Sequence, residues 1–310
     1  MSGKRATVGR EVTSGLYYEI IGAQQQFPAP LLFIQGDGLS GTTFRRTPDG
    51  RAGWADLLAE RGYRSWVTDW PGSGRSGYRD LTHLRYDDVL DGYSSLLRDV
   101  ICEPVIVVPH STGGSVAWKL VEAFPHLVAG VVALAAVHPV YRRPPVEMLG
   151  EENGVVTFRS AVTGITSSVD RRVPYTHERA YVTERSAGAQ FPREAVPSLF
   201  AGYQGMSPLM ELQRAGIEPG MPSVTASAGF AGKRIRLMAA DQDPEHARES
   251  ELRTVDRLRA WDADADLVWL PDHGFVGNGH YFMAEANSED VLELFIEQLG
   301  IVAKAEKSDA

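Results

Sequence analysis

Val107-Val108-Pro109-His110-Ser111-Thr112-Gly113-Gly114 leads from a β-branched apolar run through a serine into two glycines and then the helical pattern Ser115 to Phe124. A serine on a tight strand-to-helix turn lifts its Oγ clear of the sheet. It also puts the backbone N–H of the next residue, Thr112, where an oxyanion forms. Such a turn admits only small neighbours, which Gly113 and Gly114 supply, whereas Pro109 stands where a glycine is usual two residues before the nucleophile. A phosphate-cradling turn, or a plain turn whose serine caps the helix, reads the same way in isolation.

Outward from this turn, short β-branched and aromatic runs alternate with helical patterns. Leu31 to Ile34, Ser65 to Thr68, Val105 to Val108, Val131 to Val137, Ile235 to Met238 and Leu267 to Leu270 read as strands. Several are apolar on both faces, as strands covered by helices on either side must be. Trp54 to Arg61, Tyr86 to Val100, Ser115 to Phe124, Glu249 to Trp261 and Ser288 to Leu299 carry helical spacing, the last with an acidic start suited to a helix N-terminus. The alternation predicts an α/β fold built on a mostly parallel, doubly wound sheet with right-handed crossovers. Thr7 to Val12 and Leu16 to Ile21 add an antiparallel edge pair.

The pattern breaks between Tyr141 and Gly232, where eight prolines punctuate short amphipathic pieces without a strand of the buried kind. Phe158, Tyr175, Tyr181, Phe191, Phe200 and Tyr203 are too many large rings for a solvated tether. We therefore expect residues 1–140 and 233–302 to form the core, 141–232 a mainly helical cap insertion lined by rings, and 303–310 a frayed tail.

Composition narrows the function. The chain has 310 residues, 31 basic and 40 acidic, a net charge of −9. Such a chain must overcome its own field to bind a polyanion, so nucleic acid and anionic membrane surfaces are unexpected partners. The 43% hydrophobic and 23% charged fractions are those of a globular protein. Cys102 is the single cysteine, and no apolar leader follows Met1, which points to the cytoplasm. The longest apolar run, Leu127 to Val137, falls well short of the roughly 20 residues needed to span a bilayer.

Three further segments bear on the serine. Asp69-Trp70-Pro71-Gly72-Ser73-Gly74-Arg75-Ser76 follows the second core strand, Asp241-Gln242-Asp243-Pro244 follows the penultimate strand, and Gly279-His280 with Glu285 lies between the last strand and the last helix. Serine, acid and histidine at the carboxyl ends of successive strands resemble the α/β-hydrolase fold and its triad order, in a serine esterase/lipase-like branch with a cap. The resemblance covers Leu31 to Leu299. Within that family, Asp69 to Ser76 looks like the D-x-P-G-x-G-x-S loop, and Gly279 to Glu285 like the segment holding the catalytic histidine. Gln35-Gly36-Asp37-Gly38 occupies the place of the His-Gly oxyanion loop, with Gln35 in place of histidine.

The resemblance implies Ser111 as nucleophile, His280 as base, and Thr112 with Asp37 or Gly38 as oxyanion donors. Asp243 and Asp241 compete for the acid; the family's common spacing from Ala240 favours Asp243, leaving Asp241 as a solvated or capping carboxylate. His273 shares the loop of His280 but lacks the Glu five residues on. His110 is read as structural, and His138 as a rim residue within reach of substrate. His83, His126, His177 and His246 look scattered, so no metal is expected.

Gly36-Asp37-Gly38-Leu39-Ser40-Gly41 is also a literal dinucleotide fingerprint. It needs a helix opening at the third glycine, and Pro48-Asp49-Gly50 is instead a turn. An NAD(P)-dependent oxidoreductase is thus the minor alternative. The preferred reading is a cofactor-free serine hydrolase of a small-molecule ester or lactone, with homo-oligomerisation open. C–C bond hydrolysis of a β-diketone on the same triad, and a non-catalytic ligand-binding protein of this fold, remain the alternatives.

Overall fold

Alternate residues of the core strands serve two different apolar layers. The computed structural model describes residues 7–22, 29–162, 164–186 and 188–303, so the expected tail lies outside the described residues beyond Ala303. The strands are β1 (Thr7–Arg10), β2 (Tyr17–Ile21), β3 (Leu31–Ile34), β4 (Ser65–Asp69), β5 (Val105–Pro109), β6 (Val128–Leu134), β7 (Val146–Glu152), β8 (Val155–Ser160), β9 (Thr166–Asp170), β10 (Arg234–Ala239) and β11 (Asp264–Trp269). Eight of them form one sheet in the order β1-β2-β4-β3-β5-β6-β10-β11. It is parallel from β4 to β11, and β1 and β2 pair antiparallel at its edge.

The helices are α1 (Thr42–Arg45), α2 (Trp54–Glu60), α3 (Tyr86–Ser95), α4 (Gly113–Ala123), α5 (Arg179–Arg185), α6 (Val196–Gly202), α7 (Pro208–Arg214), α8 (Arg248–Arg259) and α9 (Ser288–Val302). Leu32, Ile34, Val105 and Val107 face α3, α4 and α8, while Leu31, Phe33, Ile106 and Val108 face α2 and α9. Side chains alternate across a strand, so a sheet with helices on both faces must be apolar at every position. Among the described residues no helix is long and apolar enough to cross a membrane.

Strand β6 begins and ends three residues before the expected Val131 to Val137. The chain leaves the sheet at Ala135, where φ is 42°, and Val137 then donates its N–H to the Ser111 carbonyl at 3.1 Å. The last residues of that apolar run therefore support the serine turn instead of extending the strand. At the neighbouring loop, the Asp69 carboxylate accepts the backbone N–H groups of Gly41 and Arg75, both at 2.7 Å, and Nε of Arg75 at 2.9 Å. It ties the loop after β3 to the loop after β4.

The insertion carries a three-stranded antiparallel sheet, β7-β8-β9, ahead of its helices α5, α6 and α7. The sequence reading expected no buried strand here. Val156, Phe158 and Val169 point inward to the main apolar cluster, while the intervening Thr157 and Ser168 face outward and pair their hydroxyls at 3.2 Å. Asn153 and Gly154 form the two-residue turn between β7 and β8, with φ of 51° and 80°. Positive φ at both positions matches the right-handed twist of a hairpin.

Gly113 is packed too tightly to accept a side chain. A Cβ there would lie 2.6 Å from the carbonyl oxygens of Ile34 and Gln35, atoms that move only if β3 moves. Gly113→Ala is expected to destabilise the fold by about 1–3 kcal/mol, the usual scale of overpacking. A urea titration would show it as a lower midpoint at unchanged slope.

Candidate active site

Ser111 sits between β5 and α4 with φ of 54°, in the left-handed region that costs a non-glycine residue about 1–3 kcal/mol. The surroundings enforce it. Ser111 donates its N–H to Leu134 O at 3.1 Å, and its own carbonyl accepts from Gly114 and Val137. Gly114 is required for the same reason as Gly113, because a Cβ would lie 2.9 Å from that of Ala136. Thr112 opens α4, and its N–H donates to no group among the described residues.

The loops after β10 and β11 bring His280 and Asp243 together. His280 Nδ1–H donates to Asp243 Oδ2 at 2.7 Å, and both side chains are fully buried. Asp243 Oδ1 accepts the N–H of Glu245 at 2.9 Å. Glu285 holds the preceding turn by accepting from Gly279 N–H at 2.8 Å and Asn278 Nδ2 at 2.5 Å. With Nδ1 carrying the proton, Nε2 of His280 keeps its lone pair and has no partner among the described residues. His110 donates from Nε2 to the His280 carbonyl at 3.1 Å, and burial keeps its ring neutral.

Three charged residues outside the expected site, Arg185, Glu245 and His246, complete this centre. Arg185, at the end of α5, is buried, bridges to Glu245 and brings Nη2 to 3.4 Å from Ser111 Oγ. His246 donates from Nδ1 to Glu251 at 2.9 Å, and its ring stacks on His280 at 5.5 Å between centroids. Burial and then Arg185 lower the His280 imidazole from its usual 6.5, against the pull of Asp243. Burial opposes charge on His246, but Asp243 and Glu251 outweigh it and raise that ring to about 9. Burial likewise opposes charge on Glu245, yet Arg185 beside it brings its carboxyl down to about 2.

A cavity of about 260 Å³ is lined by Ser111 and, from the insertion sheet and its β8–β9 turn, by Val146, Phe158, Val162 and Ile165. This geometry meets its relatives at the level of the whole chain: a model of the alpha/beta hydrolase family matches residues 31–294. The chain belongs to the alpha/beta hydrolase family. It is 25% identical over 368 residues to the "Probable secreted lipase phiG" of a fungal species (strain ATCC 74256), covering 94% of this chain and 90% of that protein. It is 29% identical over 139 residues to "Protein ABHD14A" of Rattus norvegicus, covering 43% of this chain and 54% of that protein. Among solved structures, the esterase EaEST from Exiguobacterium antarcticum shares the fold with a TM-score of 0.62 at 16% identity, covering 96% of this chain and 100% of that one.

Within this alpha/beta hydrolase frame the other expected residues fall as follows. Asp241 is exposed and accepts the N–H of Gly277 at 2.9 and 3.1 Å, capping the loop that leads to His280. His273 is exposed on a short helix after β11. His138 lines the cavity and accepts the Val140 N–H on Nδ1 at 3.0 Å. Asp37 donates its N–H to the Thr112 hydroxyl at 2.9 Å, whereas the Gly38 N–H donates to no described group.

The sequence reading placed no helix behind Gly41, and a one-turn helix, α1, does follow it. The chain leaves that turn at once through Arg46 and the Pro48 to Gly50 turn, since Pro48 supplies no N–H to continue it. His177 and His246, taken as scattered, are both brought to the site. Asp243, His246 and His280, and likewise Asp37, His177 and Glu211, place ligand-type atoms within 4.8 Å of one another. In the first group each member already has a hydrogen-bond partner. In the second, the Arg214 guanidinium lies against both Glu211 and Asp37, where a metal cation would meet its charge.

Histidine titration followed by NMR checks this electrostatic picture. His280 is expected to titrate below pH 6.5, so that it is neutral at pH 7, and His246 near 9. The Arg185→Gln variant should move the His280 midpoint upward, because it removes a positive charge that opposes the imidazolium.

Proposed function

We propose that the chain is a serine hydrolase that cleaves a carboxylic ester or lactone through an acyl-enzyme. The observation that carries this reading is Ser111 held at φ 54° on the turn after β5, together with a buried His280–Asp243 pair on the loops after β11 and β10 whose Nε2 has no partner among the described residues. Esterases and lipases among the relatives support it at the level of the family.

Ser111 Oγ attacks the scissile carbonyl as its proton passes to His280 Nε2, and Asp243 stabilises the imidazolium and keeps the tautomer. The carbonyl oxygen, now negative, accepts from the Thr112 N–H and from the Asp37 or Gly38 N–H. When the Thr112 hydroxyl turns away from Asp37, that second donor is released. The tetrahedral intermediate collapses, the C–O bond breaks, and His280 returns its proton to the leaving alkoxide. Water then repeats the sequence on the acyl-enzyme, with His280 again taking and returning the proton.

A fluorophosphonate probe is expected to label the protein on Ser111, and Ser111→Ala should abolish both labelling and ester hydrolysis. Labelling that survives on another serine would remove the mechanism. Asp243→Asn, which favours the wrong tautomer, should lower turnover about 10⁴-fold, the size of the equivalent loss in a serine protease. Asp241→Asn should instead cost stability at the loop cap, about 0.5–2 kcal/mol, with turnover largely kept. Steady-state kinetics and melting curves on both variants separate the two carboxylates.

A further inference from the structure

Two arginines of the insertion, Arg185 on α5 and Arg214 on α7, line the same cavity as Ser111, and their guanidiniums are used differently. Arg214 gives Nε and Nη2 to the two oxygens of Glu211 at 2.8 and 2.6 Å, a filled two-point fork. Arg185, only 4% exposed, meets Glu245 through Nη2 alone, and the other Glu245 oxygen accepts from the Tyr181 hydroxyl at 3.1 Å. The Tyr203 hydroxyl is a further neighbour of the Arg185 guanidinium. Its Nε–H is buried and donates to no group among the described residues. An idle buried donor on a cation is costly, and a carboxylate gripped on two points removes that cost. A tie between insertion and core alone has no need to reach 3.4 Å from a nucleophile.

Of the arginines on the cavity wall, Arg214 is neutralised by Glu211, while Arg185 is met by Glu245 through one nitrogen and keeps its Nε–H unpaired among the described residues. Beyond them the wall is apolar, with Val146, Phe158, Ile165 and Met221.

We propose that Arg185 recognises a carboxylate on the substrate, so that the preferred ester bears an anionic group within a few bonds of its scissile carbonyl and an apolar remainder that fills the cavity under the insertion sheet. The inference rests on the serine-hydrolase reading. A carboxylate hydrogen-bonded to a guanidinium that itself stands 3.4 Å from Ser111 Oγ cannot lie far from the carbon that Oγ attacks.

The test compares a shape-matched pair, the mono-p-nitrophenyl ester of glutarate and p-nitrophenyl 5-methylhexanoate, in which an isopropyl group stands for the carboxylate, on the full chain. The expected result is a higher kcat/KM for the anionic ester, carried mainly by KM. Arg185→Gln should reduce that preference about 10- to 100-fold, the range for a hydrogen bond to a charged group. Arg185→Lys keeps the charge without the fork and should retain part of the preference, which also covers the case where the glutamine variant does not fold. A wild-type preference for the neutral ester, or a preference unchanged in both variants, overturns the proposal.

If neither ester turns over, glutarate itself is the probe. Protection of Ser111 from a fluorophosphonate, with a rise in Tm, should be seen in the wild type and lost in Arg185→Gln. Absence of both effects in the wild type overturns the anion site. Failure of Ser111 to label at all falls instead on the hydrolase reading, and the Tm arm still reads the anion site by itself.

Discussion

A serine held in a left-handed backbone conformation at the mouth of the central strand is the constraint that the rest of the site is built around. Such a conformation persists only where its surroundings over-determine it. Here three elements do so: β3 presses its carbonyls against Gly113, the end of β6 accepts from Ser111 N–H, and the chain after β6 returns an N–H to the Ser111 carbonyl. Each support requires something unusual of its own residues, an absent Cβ at Gly113 and Gly114 and a positive φ at Ala135. The strain at one residue is thus distributed over the two strands that flank β5 and the chain that follows β6.

The charges around that serine are arranged in alternation. Glu251, His246 and Asp243 run up to His280 on one side, and Glu245 and Arg185 approach from the other. Any one of these groups buried alone would carry a heavy desolvation penalty, whereas a neighbour of opposite sign offsets much of it. The arrangement also sets the protonation of His280. Asp243 favours the imidazolium of His280, while burial, Arg185 and His246 oppose it, and the outcome is a ring left neutral at pH 7.

The core was legible because its signals are local. Leu31–Ile34 matches its expected bounds, and Ser111, Asp243 and His280 fall on loops at the carboxyl ends of parallel strands, as the α/β alternation implies. The insertion was less legible, although Asn153-Gly154 is a strong hairpin signal lying between residues that alternate inward and outward. The prolines on either side, at 144, 145 and 174, mask it as loop sequence. His246 lies three residues from Asp243; its role as a charge partner shows only once Glu251 is folded against it. Arg185 had no such signal. It reaches Ser111 only because the insertion folds back over β5, a contact between residues 74 apart that no spacing rule encodes.

Arg185 and His280 are coupled through their charges, and under the proposed mechanism this links recognition to catalysis. In the free protein the guanidinium lies close enough to oppose proton uptake by His280, which lowers the ring's basicity. A substrate carboxylate on Arg185 offsets that positive charge just where the imidazolium must form. Nearby opposite charges stabilise the protonated base in proportion to their proximity, and in a buried site the effect is little screened. In the proposed mechanism, the ion pair that holds the ester near Ser111 therefore also strengthens His280 as the base. A neutral ester in the same cavity gains the apolar contacts but leaves Arg185 opposing His280 throughout the reaction. Discrimination then resides partly in the chemical step, since it acts on the charge that develops in the transition state.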